Sequence, residues 1–91
     1  MFLSSLREDI DKIDEKIVKL LNERFSCCEK IAKLKKSSGL RLVDLNRQAE
    51  VLSHVASCSI RDYVDLNKLV FETIMVLSSV AQLEQQTKFP D

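Results

Sequence analysis

The chain has 91 residues, with fourteen Lys and Arg against fourteen Asp and Glu, one Gly, one Pro and no Trp. One domain of this length buries only about 60–65% of its unfolded surface. The charge balance speaks against a nucleic-acid partner, which calls for a basic excess, and few breakers with 45% hydrophobic residues predict an all-α fold.

From Leu3 to Leu34 an apolar stripe recurs every three or four residues through Leu6, Ile10, Ile13, Ile17, Leu20, Cys27 and Ile31. This predicts a first helix over about 4–36, with Ser5 and Glu8 as a capping box. Such a helix is roughly 50 Å long, whereas a compact chain of this size has a radius of gyration near 12 Å. It overhangs its own domain, and a symmetric homodimer is the simplest cover for its stripe. Ser37-Ser38-Gly39 ends it, with Gly39 as a left-handed cap and Leu40–Val43 as a linker. Asp44 is the N-cap of a second helix over about 45–56, whose inner face carries Gln48, Val51, Leu52 and Val55. After a break at 57–61, a third helix is expected over about 62–86, with Leu66, Leu69, Val70, Ile74, Leu77 and Ala81 as core. The tail from Thr87 to Asp91 is expected to fray. The whole of 1–91 reads as a single helical domain.

Targeting and metal signals are absent from the sequence. The opening MFLSSLREDI reaches charge at Arg7 and Glu8, leaving no signal-peptide apolar region. The apolar run from Leu69 to Val80 contains Glu72 and is too short to span a bilayer. Cys27, Cys28 and Cys58 make neither a disulfide framework nor a metal-ligand spacing. These features predict a cytoplasmic protein with reduced thiols, no metal, no cofactor and no membrane partner.

Several polar residues stand where apolar ones belong. Arg24 sits in the stripe, and Lys35 lies at nearly the same angle three turns on. A cation facing a core is costly unless an anion meets it, so the pair points to an anionic ligand. Ser78 and Gln82 share a face of the third helix, and Arg47 and Gln48 open the second. Arg7 lies seventeen residues before Arg24, about 25 Å along the axis, and can approach it only between the chains of an antiparallel dimer. Each has a plainer reading: Arg24 snorkelling to solvent, Lys35 on the surface, Ser78 and Gln82 as a polar pair, Asp44 as a cap alone. His54 is assigned no role.

Order and spacing add what the single residues lack. LREDIDKIDEKIVKLLNERF, KIAKLK, DLNRQ and FETIMVLSSVAQ together resemble the all-helical chorismate mutase family over residues 6 to about 86. The resemblance implies an intertwined homodimer of three-helix chains that converts chorismate to prephenate, with sites shared between chains and no cofactor. By position, Arg24 and the other chain's Arg7 would hold the two carboxylates. Lys35 and Gln82 would hydrogen-bond the ether oxygen of the breaking C–O bond. Gln48 and the Asp44 region would contact the ring hydroxyl, and Ser78 and Arg47 would support a carboxylate. Many relatives carry Glu where this chain has Gln48, so a negative charge beside Lys35 is lost. The alternatives are an isochorismate-pyruvate lyase on the same fold and a non-catalytic helical dimerisation or regulatory module.

Overall fold

The structure, a computed structural model, describes residues 2–40 and 43–88. It is all-α, as the composition predicts: α1 spans Phe2–Ser38, α2 Leu45–Cys58 and α3 Val64–Lys88, with a single 3-10 turn at Arg61–Tyr63 leading into α3. The helices run one or two residues past most of the expected bounds. Nothing from Phe2 to Ser5 breaks a helix, so α1 starts at Phe2. Ser5 and Glu8 therefore lie inside it and form no capping box. At the other end α3 remains helical through Lys88, where fraying was expected. Residues 41–42 of the linker and 89–91 of the tail lie outside the described residues.

The helix ends follow local chemistry. Gly39 adopts φ 69°, and the N–H groups of Gly39 and Leu40 donate to the carbonyls of Lys36 (3.4 Å) and Lys35 (2.9 Å). This is a Schellman cap, in which a left-handed glycine lets the chain turn back onto the last helical carbonyls. Asp44 accepts the Arg47 N–H at 3.0 Å, as an N-cap should. At the α2–α3 corner, Ser59 Oγ donates to the Val55 carbonyl at 2.6 Å and accepts from Asn67 Nδ2 at 2.9 Å, which ties the two helices together across the turn.

Two hydrogen bonds fix how α1 and α3 lie. Arg24 bonds Ser78, and Gln86 bonds Ala32; both join residues 54 apart in sequence. The two helices are therefore parallel and in one register, Arg24 level with Ser78, Cys28 with Gln82, and Ala32 with Gln86. Ala32 is fully buried at this contact. α2 returns antiparallel along the opposite flank of α3. α3 packs against both α1 and α2, while α1 and α2 make no close backbone approach to each other among the described residues.

The molecule measures 57 × 26 × 14 Å. Its smallest dimension is little more than one helix diameter, about 10–12 Å, so the three helices form one layer. A single layer has nothing on either face to bury against. Only Cys28, Ala32 and Val55 make a buried apolar core among the described residues. Leu66, Leu69, Val70 and Leu77, expected as core, are each about half exposed or more, because α3 has neighbours at its flanks and none above or below. The stripe of α1 from Phe2 to Ile17 is likewise exposed. The accessible surface is 7617 Å², where a compact monomer of this size shows about 5,400 Å². The radius of gyration is 16.3 Å, against about 12 Å for a globule. None of the described helices is long and apolar enough to cross a membrane.

A Cβ added at Gly39 meets nothing within 4 Å, so a substitution there tests backbone strain alone. Gly39→Ala is expected to lose about 1–2 kcal/mol of stability, and Gly39→Asn less, since asparagine tolerates the left-handed region. Urea unfolding at one fixed protein concentration measures both; equal stability of Gly39→Ala and the parent would remove this cap from the account.

Candidate active site

Because α1 and α2 flank α3 without meeting, a trough opens between them with α3 as its floor. It is a cavity of about 460 Å³, within the usual range for small-molecule sites. Seven of the eight residues singled out from sequence line it: Arg24 and Lys35 from α1, Asp44, Arg47 and Gln48 from the start of α2, and Ser78 and Gln82 from α3. Arg7, the eighth, is exposed on the overhanging part of α1 and does not line it.

Arg24 is half-buried, and its guanidinium is held rather than snorkelling. Nη1 donates to Ser78 Oγ and also lies 3.9 Å from Cys28 Sγ. Ser78 is buried, and its own proton goes to the Ile74 carbonyl at 2.7 Å. In this arrangement the serine is an acceptor that orients Arg24, with the rest of the guanidinium fork left to meet an anion bidentately. Cys28 was not anticipated as a contact, although its place one turn after Arg24 was a legible signal.

Lys35 stands in the last turn of α1, where a cation complements the C-terminal end of the helix dipole. Gln82 lines the same cavity from α3, and its Oε1 is buried without a hydrogen-bond partner. Unmatched buried polar atoms are uncommon; the other among the described residues, Gln85 Nε2, does not line this cavity. The Asp44 carboxylate is engaged by the α2 cap, and Arg47 Nη1 pairs with Glu50 Oε2 at 3.2 Å on the exposed side of α2. Gln48 is half-buried one turn into α2. The lining carries three cations, Arg24, Lys35 and Arg47, and one carboxylate, Asp44. Its net charge matches a dianion.

A second hollow of about 470 Å³ shares Arg24, Arg47 and Val51 with the first and extends past Val55 and Phe71. His54, assigned no role from sequence, lines it beside Cys58, with Nε2 3.8 Å from Sγ. No group of three metal-ligating side chains gathers among the described residues.

Residues 6–83 match the chorismate mutase type II family. The chain is 32% identical over 81 residues to a 3-dehydroquinate dehydratase of Pyrobaculum aerophilum, a match covering 89% of this chain and 24% of that protein. It is 36% identical over 53 residues to a bifunctional chorismate mutase/prephenate dehydratase of Aquifex aeolicus, covering 58% of this chain and 15% of that protein. It is 32% identical over 65 residues to a chorismate mutase of Methanocaldococcus jannaschii, covering 71% of this chain and 66% of that protein. The chain thus spans a quarter or less of the first two relatives and about two thirds of the third. No solved structure matches it.

Ser78→Ala removes the acceptor that orients Arg24 and is expected to cost about 1–2 kcal/mol of stability. Ser79→Ala removes a hydroxyl that also lines the cavity but bonds only its own helix, at the Met75 carbonyl. It should stay within about 0.5 kcal/mol of the parent. Equal urea midpoints for the two variants would mean that the Arg24–Ser78 bond contributes nothing net.

Proposed function

The chain belongs to the chorismate mutase type II family, and we propose that it catalyses the rearrangement of chorismate to prephenate as a homodimer with two shared sites. The observation that carries this reading is the gathering of Arg24, Lys35, Gln48, Ser78 and Gln82 around one cavity of net positive charge. The reaction is intramolecular. It needs no nucleophile, general base, metal or cofactor. It needs a dicarboxylate held in its reactive fold, which arginine forks can do, and donors at the oxygen that gains negative charge as the C–O bond breaks.

In this reading Arg24, oriented by Ser78, holds one carboxylate. Lys35 and the Gln82 amide donate to the ether oxygen. Gln48 and the Asp44 region meet the ring hydroxyl, and Arg47 supports a carboxylate from the cavity mouth. Gln48 can donate or accept a hydrogen bond but brings no charge of its own to the hydroxyl contact.

Dimerisation is supported by the surface the single layer leaves bare. The excess over a compact monomer is about 2,200 Å² per chain, which for two chains falls in the range of obligate interfaces. Charge favours an antiparallel crossing of the α1 helices. Residues 2–15 carry five carboxylates and two cations, whereas residues 24–38 carry five cations and one carboxylate. Antiparallel pairing brings the acidic end of each α1 toward the basic half of the other, with the exact register left to the site. It would bring the other chain's Arg7 beside Arg24, on the side of the second hollow, to hold the second carboxylate. Cysteines without a disulfide suit a cytoplasmic setting.

Loss of chorismate absorbance with appearance of prephenate tests the activity. Lys35→Ala should lower kcat by about 10²–10³ with a smaller change in KM, as for loss of one donor to a developing oxyanion. Release of pyruvate from isochorismate would favour the lyase instead, and inertness toward both substrates a non-catalytic module.

Mixing Arg7→Ala with Arg24→Ala chains tests the shared site. In a heterodimer one site carries both lesions and the other neither, so activity should return well above either parent variant. Chains that demonstrably exchange yet stay inactive would sink the shared-site arrangement.

A further inference from the structure

Beyond Lys35 and Gln82, the α1–α3 seam is fastened by two hydrogen bonds that involve none of the proposed substrate contacts. Gln86 Nε2 donates to the Ala32 carbonyl at 3.1 Å, and Lys36 Nζ donates to the Gln86 carbonyl at 3.1 Å. The bonds are reciprocal, since each helix supplies one side-chain donor and one backbone acceptor. Both acceptors have a physical reason to take them. The Gln86 carbonyl lies in the last turn of α3, where no intrahelical donor remains. The residue four further on is Pro90, which has no N–H to offer. The Ala32 carbonyl has a second lone pair beyond its helical bond. A glutamine from a neighbouring helix can reach it because the fully buried Ala32 methyl permits close approach.

The position of this clasp matters more than its strength. Lys36 is the sequence neighbour of Lys35, and Gln86 follows Gln82 by one turn on the same face of α3. Gln82 Oε1 has no hydrogen bond of its own, so the placement of that side chain depends on where the helices hold it. We propose that the Lys36–Gln86 clasp is a positioning device that sets the spacing between Lys35 and Gln82 across the cavity. It rests on the reading that these two groups face the reacting ether. Neither Lys36 nor Gln86 touches the substrate. They act by holding two donors at a fixed separation, and an error near 1 Å in such a separation can cost about 10² in rate.

The test is steady-state kinetics on chorismate with the full chain, per folded dimer, for Gln86→Leu, Lys36→Met and Lys36→Arg. Gln86→Leu and Lys36→Met each remove one bond of the clasp and should lower kcat about ten- to a hundredfold with KM within twofold. Lys36→Arg keeps a donor and should stay within about threefold of the parent. In a Lys35→Ala background Gln86→Leu should lower kcat no further, because one of the two groups it aligns is gone. An unchanged kcat, a change in KM alone, or the same fold-loss in the Lys35→Ala background would overturn the proposal, the last by showing general loosening. If Gln86→Leu does not fold, Lys36→Met carries the same comparison. A parent protein inert toward chorismate would overturn the functional reading and with it this role. The clasp as a contact would then be judged separately, by whether Gln86→Leu speeds amide exchange in residues 32–38.

Discussion

The register between α1 and α3 governs the rest of the molecule. Arg24 level with Ser78 and Ala32 level with Gln86 make the two helices parallel. Consecutive helices with short connections run antiparallel, so a parallel α1 and α3 require α2 to return between their ends. With α1 on one flank of α3 and α2 on the other, the outer helices cannot meet, and the gap between them is the cavity. Ala32 sets the closeness of the seam. A larger side chain there would push the axes apart, and Arg24 would lose Ser78 by the same movement. The site is thus a consequence of helix packing and not a loop feature laid over it.

That origin explains the polarity of the cavity. Two of the four charged residues of the lining stand where a helix end favours them. Lys35 sits at the C-terminal end of α1 and Asp44 at the N-terminal end of α2, both in favourable dipole positions. Arg47, in the first turn of α2, and Arg24, mid-helix and half-buried, are the exceptions, and each has side-chain partners: Glu50 for Arg47, Ser78 and Cys28 for Arg24. Cations gathered in one cavity repel one another, and the helical frame holds them in place. A dianion among these cations would offset that repulsion.

Much of this was legible in the sequence. The stripe on α1, the misplaced Arg24, the Asp44 cap and the Gly39 terminator each report a local rule, and the structure agrees with each. The core residues that proved exposed share one cause. Hydrophobic periodicity tells that Leu66, Leu69, Val70 and Leu77 belong against something, but not that the something lies outside the chain. These residues follow the core pattern and are exposed because the helices form a single layer. The capping box failed because nothing upstream stops the helix from starting earlier. Lys36 and Gln86 were invisible for a different reason: a lysine and a glutamine near polar helix ends look like solvent-facing residues. Their pairing depends on a 54-residue register that no local pattern encodes.

The same single-layer geometry joins folding to the proposed chemistry. Residues 2–20 of α1 are exposed throughout, and an isolated helical segment of that length is marginal in water without an apolar face to bury. In the dimer reading this segment is ordered only when it crosses its counterpart, and it is also the segment that carries Arg7. The residue proposed to hold the second carboxylate is then delivered by the event that buries the stripe. A site assembled in this way has no folded monomer carrying half an activity. In that reading a dicarboxylate would meet both arginines only on the closed dimer, and the long overhanging helix would link assembly to the two-armed hold proposed for the rearrangement.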